Sequence, residues 1–383
     1  MIKYKNNIHL IILLAVLSAI APMAVDTYIP SIPTMAKEFH VGIEKIELTL
    51  TIFLIGFAIG QIFGGVISDR IGRKKSSIIG LLGFAFFSFI IIFSTTSFEL
   101  LLYRFIEAFF GGLIVVNASA IVRDKFTTQE AAKVFSLIGT VRSIAPLIAP
   151  AIGAFIIHFF SWKAVFIFLT FYALLVAIWV YKELKETFTY SNQSIVQSYQ
   201  MVLTNKNAMQ IIVVLALGFS GMFIIIAKSP FIYMEYFGIS SDFFPLYFGF
   251  SIIALMIMIS VNLRLLKRYT PLFLIKMAVL FQILIAVLFL LFSNTIGLYF
   301  TLVLIASYIS LNGFIYGNCT ALAMESFSKN AGVASAVIGV VQFGLGALIT
   351  SIVVFFHTET LVPIALSLVA IPLLSFLVVK QYK

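Results

Sequence analysis

Charge is what this sequence has least of. Only 10% of its 383 residues are Asp, Glu, Lys or Arg, whereas 62% are hydrophobic and the mean hydropathy is +1.12. Soluble domains carry about a quarter charged residues. So few charges cannot cover a water-facing surface, and the apolar residues must therefore face lipid as well as one another. Cysteine is almost absent: Cys319 alone can form neither an intramolecular disulfide nor a cysteine-rich metal centre, and it reads as a small apolar filler inside a helix. The histidines are His9, His40, His158 and His357, with no His-Glu-x-x-His or similar ligand spacing. No catalytic constellation accompanies them, and no metal site is expected.

Basic residues outnumber acidic ones, giving a formal charge of +10. Such an excess can mark a nucleic-acid binder. Here, however, the basic residues fall in short clusters between apolar runs and form no stripe with aromatics, so no nucleic-acid partner is expected. The start, with Lys3 and Lys5 ahead of an apolar run from Ile8, has the charge order of a signal peptide. The run is too long for one, and no Ala-x-Ala-like site leads into a soluble domain. It reads as a first membrane span entering from the cytoplasm.

A span needs roughly 20 apolar residues, and twelve runs qualify. They lie near Ile8–Pro30, Leu48–Ile67, Ser76–Phe93, Leu100–Val122, Ala131–Ile157, Trp162–Tyr181, Ala208–Tyr233, Phe243–Val261, Leu272–Phe292, Thr295–Ala321, Ala331–Phe356 and Leu361–Val379. With both termini on one side, that side collects 19 of the 25 Lys and Arg residues; Lys37, Lys45 and Lys163 fall opposite, and Arg104, Arg142 and Lys228 fall inside spans. The bias makes it the cytoplasmic side. The longest polar stretch divides the chain six and six: an N-terminal bundle 1–181, a cytoplasmic linker 182–206 and a C-terminal bundle 207–383. Within the linker, Ser191–Lys206 has the apolar spacing of a short helix. The expected fold is all-α, with twelve transmembrane helices in two six-helix bundles related by pseudo-symmetry, a common transporter architecture. A direct repeat is faint: Gly65–Arg70 after span two matches Asn262–Arg268 after span eight in position but little in identity.

The strongest motif is the stretch Gly64-Gly65-Val-Ile-Ser-Asp69-Arg70-Ile-Gly72-Arg73-Lys74-Lys75 between spans two and three. Its glycines permit a tight reversal and close approach of helices. Asp69 ends span two, where the dipole of its own helix disfavours a carboxylate. Arg70, Arg73 or the N-terminus of another helix must compensate it. A cluster serving topology alone would need Lys74 and Lys75 but no acidic residue between spaced glycines, so a conformational latch is the better reading.

This segment closely resembles the Gly-x-x-x-Asp-Arg-x-Gly-Arg-Lys signature of the major facilitator superfamily, matched by Gly65, Asp69, Arg70, Gly72, Arg73 and Lys74. The resemblance implies that an Asp–Arg network stabilises the outward-facing state through the second half. Three further segments resemble the Bcr/CflA branch of drug:proton antiporters. Asp26-Thr-Tyr28-Ile-Pro30 looks like its Asp-x-Tyr-Leu-Pro element in span one. Arg104-Phe-Ile-Glu107-Ala-Phe-Phe-Gly111 and Ala120–Asp124 look like span four and its end, with Glu107 departing from the usual Gln. Ala145-Pro146-Leu-Ile-Ala-Pro150-Ala-Ile-Gly153 resembles the antiporter motif of span five, with Ala145 in place of the usual Gly.

Each segment also has a physical reading. A carboxylate inside a span is costly and points to function. Asp26 is therefore a candidate proton carrier, the alternative being a hydrated residue at the mouth of span one. Arg104, Glu107 and Gly111 share one helical face, which must look into the bundle; the pair either couples to proton and substrate or simply orients span four. Arg142 lies about eleven residues into span five, near mid-membrane, where it can neutralise Asp26 or Glu107 or attract an anion. Lys228 is expected to snorkel to the outer interface. Pro146 and Pro150 remove helical hydrogen bonds, and Gly139 and Gly153 allow close packing. Some of the 41 phenylalanines and 15 tyrosines should line an apolar cavity. The polar or amphipathic cavity candidates are Tyr28, Asn117, Tyr308, Asn312, Tyr316 and Gln342.

These observations lead to an expected proton-coupled exporter of drugs or other small lipophilic or amphipathic solutes, working by alternating access. A dedicated exporter of one endogenous metabolite, such as an amino acid or siderophore-like molecule, is the alternative; a membrane-embedded enzyme lacks its ligand cluster. No cofactor is expected beyond the proton as coupling ion. The expected partners are a small-molecule substrate and the bilayer. The resemblance implies a monomer in a bacterial inner membrane, with both termini cytoplasmic.

Overall fold

Backbone polar groups find no partner in hydrocarbon, so each apolar run must satisfy its own as a helix. A computed structural model describes residues 8–126, 128–187, 195–325, 327, 331–356 and 359–382; Lys3, Lys5, Ser191, Lys329 and Lys383 lie outside them. Among the described residues, twelve helices are long and apolar enough to cross a bilayer. Spans one to six are Ile8–Glu38, Ile43–Ile71, Arg73–Ile91, Ser97–Val122, Leu137–Phe159 and Trp162–Glu183. Spans seven to twelve are Lys206–Tyr236, Phe244–Leu265, Pro271–Phe292, Leu298–Glu325, Val333–Phe355 and Val362–Lys380. A short helix, Ile195–Thr204, precedes span seven. The chain forms two compact units, Met1–Asn192 and Gln193–Lys383.

Span one runs past its expected end at Pro30 to Glu38. Its prolines do not stop it, because each opens a new helical segment, Pro30 within Ile29–Ser31 and Pro33 within Ile32–Glu38. An opening position has no intrahelical use for the missing N–H. Between Asp26 and Ile29 the helix is interrupted.

In the N-terminal unit span four is the hub, packed along spans two and three. Small residues set that contact: a Cβ on Gly56 would run into the Phe105 carbonyl, and one on Gly112 into the Phe57 carbonyl. This is the backbone-to-backbone proximity that apolar helices use where lipid offers no hydrophobic drive. In the C-terminal unit span seven packs against spans ten, eleven and twelve. Spans eight and ten are tied by a buried, reciprocal amide pair, Asn318 Nδ2 to Asn262 Oδ1 at 3.0 Å and Asn262 Nδ2 to Asn318 Oδ1 at 3.4 Å.

Two expectations are corrected here. Gly65 mediates no close approach, since a Cβ there would meet nothing within 4 Å; its neighbour Gly64 faces Leu113. Lys228 does not snorkel outward. It is 1% exposed, with Nζ 4.9 Å from the Phe231 ring centroid, because the chain continues for another turn as the π-helix Pro230–Tyr236 and encloses it.

The motif glycines therefore differ in kind. Gly72 has φ +94°, and an added Cβ would strike the Glu186 carboxylate. Gly72→Ala is expected to cost about 1–3 kcal/mol, seen as a lower thermal unfolding midpoint in detergent. Gly65→Ala, in open helical surroundings, is expected to match or exceed wild type. Equal losses in the two variants would contradict this division.

Candidate functional site

The interruption in span one leaves a polar gap inside an apolar bundle, and the site is built around it. Without a Tyr28 amide in helical register, the Ala24 carbonyl accepts instead from Arg104 Nη2 at 3.2 Å. A side chain from span four thus completes the hydrogen bonding of span one. The same guanidinium donates from Nη1 to Glu107 Oε2 at 2.6 Å, and both side chains are fully buried. Ser88 of span three donates to Glu107 Oε1 at 2.5 Å. The guanidinium carbon lies 4.5 Å from the ring centroids of both Tyr28 and Phe53, with Phe166 at 5.6 Å. Cation–π attraction is strongest where water is absent, so the aromatic box helps hold a charge that hydrocarbon alone would reject. Tyr28 is locked in turn by a 2.5 Å hydrogen bond between its hydroxyl and that of Thr49.

Asp26 lies at the lip of this gap. It is 3% exposed and makes neither an ion pair nor a side-chain hydrogen bond among the described residues. Span five closes the gap from the other side. Gly153 packs so tightly on the Thr27 carbonyl that a Cβ could not be accommodated. The antiporter-like glycine therefore touches the backbone next to Asp26. The span-five helix, Thr128–Phe159, continues through Pro146 and Pro150, with Pro150 buried. These prolines leave the Arg142 and Pro146 carbonyls without their helical donors. A Cβ on Gly139 would meet nothing within 4 Å, so close packing there does not require glycine. Arg142 is exposed and neutralises neither Asp26 nor Glu107.

The signature loop is a second polar centre, built from the ends of spans two, three and four. Arg73 pairs with Asp69 at 2.5 Å and with Asp124 at 2.9 Å, and donates to Ser68 Oγ at 2.7 Å. Of the compensators open to Asp69, the structure uses Arg73; Arg70 is exposed. The helix N-terminus at Arg73 serves Glu186 instead, whose carboxylate accepts from the Arg73 and Lys74 amides at 2.8 and 3.2 Å. A carboxylate is the favoured group at that end of a helix dipole. Lys74 complements it by donating to the Tyr181 carbonyl at the end of span six, at 2.7 Å. Every partner named here belongs to the N-terminal unit.

The cavity candidates separate. Tyr28 is part of the arginine box. Asn117 is fully buried and donates to Ser76 Oγ at 2.9 Å, tying span four to span three rather than facing open space. In the C-terminal unit Tyr308, Asn312 and Tyr316 follow one another down span ten towards span seven. A Cβ on Gly221 would meet the Tyr308 hydroxyl, and one on Gly218 the Asn312 amide oxygen. Gln282 Nε2 donates to the Tyr308 carbonyl at 3.2 Å. The Tyr308 hydroxyl and Asn312 Nδ2 are buried without a hydrogen-bond partner among the described residues. Tyr316 and Gln342 are half-buried. Phe219 of span seven joins them, packed on Tyr316 and on Phe343 of span eleven at 6.5 and 5.1 Å between centroids.

Sequence reasoning missed Glu47, a fully buried carboxylate in span two. Starting that span at Leu48 put Glu47 outside the membrane; its place four residues before Thr51, on the buried face, was the available signal. It also missed Ser88, Asp124 and Glu186 as partners, since nothing local marks them. Among the described residues no group of three or more His, Cys, Asp or Glu side chains is arranged to hold a metal.

Known proteins resemble this chain along its length. A family model described as Major Facilitator Superfamily matches residues 14–351. A bicyclomycin resistance protein homolog of Haemophilus influenzae is 29% identical over 98% of this chain and 96% of its own. The multidrug resistance protein MdtL of Vibrio parahaemolyticus is 28% identical over 84% and 82%. Among solved structures, a D-xylose–proton symporter superposes with a TM-score of 0.78 at 15% identity, covering 97% of each chain. A bacterial homolog of the human lysosomal transporter Spinster gives 0.73 at 12% identity, over 97% and 95%. At these identities the structures speak for the fold.

Removing one member of a buried ion pair strands the other. Arg104→Met or Glu107→Met alone is expected to destabilise by about 3–5 kcal/mol, and the double variant by clearly less than the sum. Thermal unfolding of the three purified variants tests this. Additive losses would show that the pair is not the unit.

Proposed function

The chain belongs to the major facilitator superfamily, and from that premise we propose that it is a proton-coupled exporter of drugs or other small lipophilic or amphipathic solutes. It is a multi-pass membrane transporter, not an enzyme. The drug-resistance names of its relatives support the substrate class. A bacterial inner membrane, cytoplasmic termini and a monomeric state belong to the same reading; the distribution of Lys and Arg supports the orientation.

One observation carries the coupling: Asp26 is a buried carboxylate without a counter-charge, at a break in span one. Glu107 already has Arg104 and Ser88. Among the described residues no counter-charge balances Asp26, so its protonation follows its hydration, and a substrate that changes the hydration of the gap exchanges with the proton. The Arg104 box and Gly153 keep the break in register while this happens. In the C-terminal unit, Tyr308 and Asn312 offer unpaired buried donors, which are costly to leave unmade and suit a polar group on an otherwise apolar substrate. The signature loop acts as the conformational latch of alternating access.

Proton release from the purified protein on adding bicyclomycin and a panel of lipophilic drugs tests the coupling. Release is expected in wild type and in Glu107→Gln, and is expected to vanish in Asp26→Asn. Loss confined to Glu107→Gln would move the carrier to span four. Silence with every compound would remove the drug-efflux reading in favour of one dedicated metabolite. Asp69→Asn, which leaves Arg73 its bond to Asp124, is expected to insert normally and to transport poorly in everted vesicles; unimpaired transport would overturn the latch.

A further inference from the structure

We propose that the groove between spans eight, nine and ten binds one acyl chain of an anionic phospholipid, with the lipid phosphate held by Arg264, Lys267 and Arg268. The groove has a volume of about 510 Å³, and its walls include Met258 and Leu265 from span eight, Phe273 and Ile285 from span nine, and Ser307 and Leu311 from span ten. Leu311, at which the span-ten helix is interrupted between Leu298–Ser310 and Asn312–Glu325, is one of its lining residues.

Its length fits one leaflet. From Phe273 to Ile285 the span-nine helix advances about 18 Å at 1.5 Å per residue, and half of a bilayer's hydrocarbon core is about 15 Å. The groove is therefore of the order of one leaflet in length, with its far end at about the midplane. The walls are almost wholly apolar. Methionine adapts to an irregular, mobile occupant better than branched side chains do.

Charge identifies the headgroup. Leu265 and Tyr269 line the groove and flank the basic turn that ends span eight. Arg264, Lys267 and Arg268 are exposed there and make no ion pair among the described residues. Between Asp242 and Glu325 the sequence has no acidic residue to neutralise them, and Lys276 adds a further cation a turn into span nine. A topology signal accounts for basic residues at a span end. It does not account for their standing, unneutralised, at the end of an apolar groove one leaflet deep. Basic pockets between spans are where anionic headgroups dock, and a zwitterionic headgroup would leave these cations uncompensated.

Native mass spectrometry of the full-length protein in detergent reads the site, using phosphatidylglycerol and phosphatidylcholine with identical chains. Wild type is expected to retain phosphatidylglycerol several-fold better. Replacing the three cations together (R264Q, K267Q and R268Q) is expected to reduce its retention to the phosphatidylcholine level. Ser307→Phe fills the groove while keeping the charges, and is expected to lower retention of both lipids at an unchanged thermal midpoint; Met277→Trp does so from span nine, whose Met277 also lines the groove, should Ser307→Phe not fold. A preference that survives the triple substitution, or retention untouched by filling the groove, overturns the proposal. A dimer that lipid does not displace would assign the groove to a second copy of the chain and overturn it equally.

Discussion

The N-terminal unit depends on one buried guanidinium. Arg104 closes the open carbonyl of span one, neutralises Glu107 of its own helix and, through it, holds Ser88 of span three. Three spans are thereby referred to a single group that has no water to fall back on. Such a charge is tolerable only if nearly all of its donors and its field are answered, and the aromatic faces of Tyr28 and Phe53 supply what hydrogen bonds do not. The break in span one persists because Arg104 takes the place of the missing amide. Asp26 inherits its position from that break, which is why a carboxylate sits unpaired beside a buried ion pair.

The two units solve the same packing problem with different chemistry. At the ends of spans two and four, the N-terminal unit uses Arg73 with Asp69 and Asp124. The C-terminal unit joins spans eight and ten with Asn262 and Asn318. Ion pairs at a wetted helix end respond to local field and hydration, whereas a buried neutral amide pair does not. The charged version can be rearranged by a change in its surroundings at modest cost, whereas the neutral pair is fixed by its burial.

Much of this was legible in the sequence because hydrocarbon is a severe solvent. Each apolar run had one possible conformation, and the asymmetry of Lys and Arg kept the count in register. The Arg104–Glu107 pair followed from helical spacing and from the cost of turning either residue towards lipid. Edges were harder. Pro30 read as a terminator, yet prolines at opening positions let span one continue to Glu38, and a late start for span two hid Glu47. Lys228 was misplaced because snorkelling is a property of the side chain, while its burial is imposed by the π-helical turn that follows. Partners far apart in sequence, such as Arg73 with Asp124 or Gly153 with Thr27, depend on which helices meet, and no local pattern encodes that.

Glu186 follows span six near the boundary of the first unit at Asn192, yet its carboxylate caps the first turn of span three. A ribosome delivers chains N-terminus first. The loop after span two is therefore made early but stays chemically unfinished until the last residues of its own half emerge. Synthesis itself thus times the closure: the cytoplasmic end of the first bundle sets only when that bundle is whole, just before the second begins.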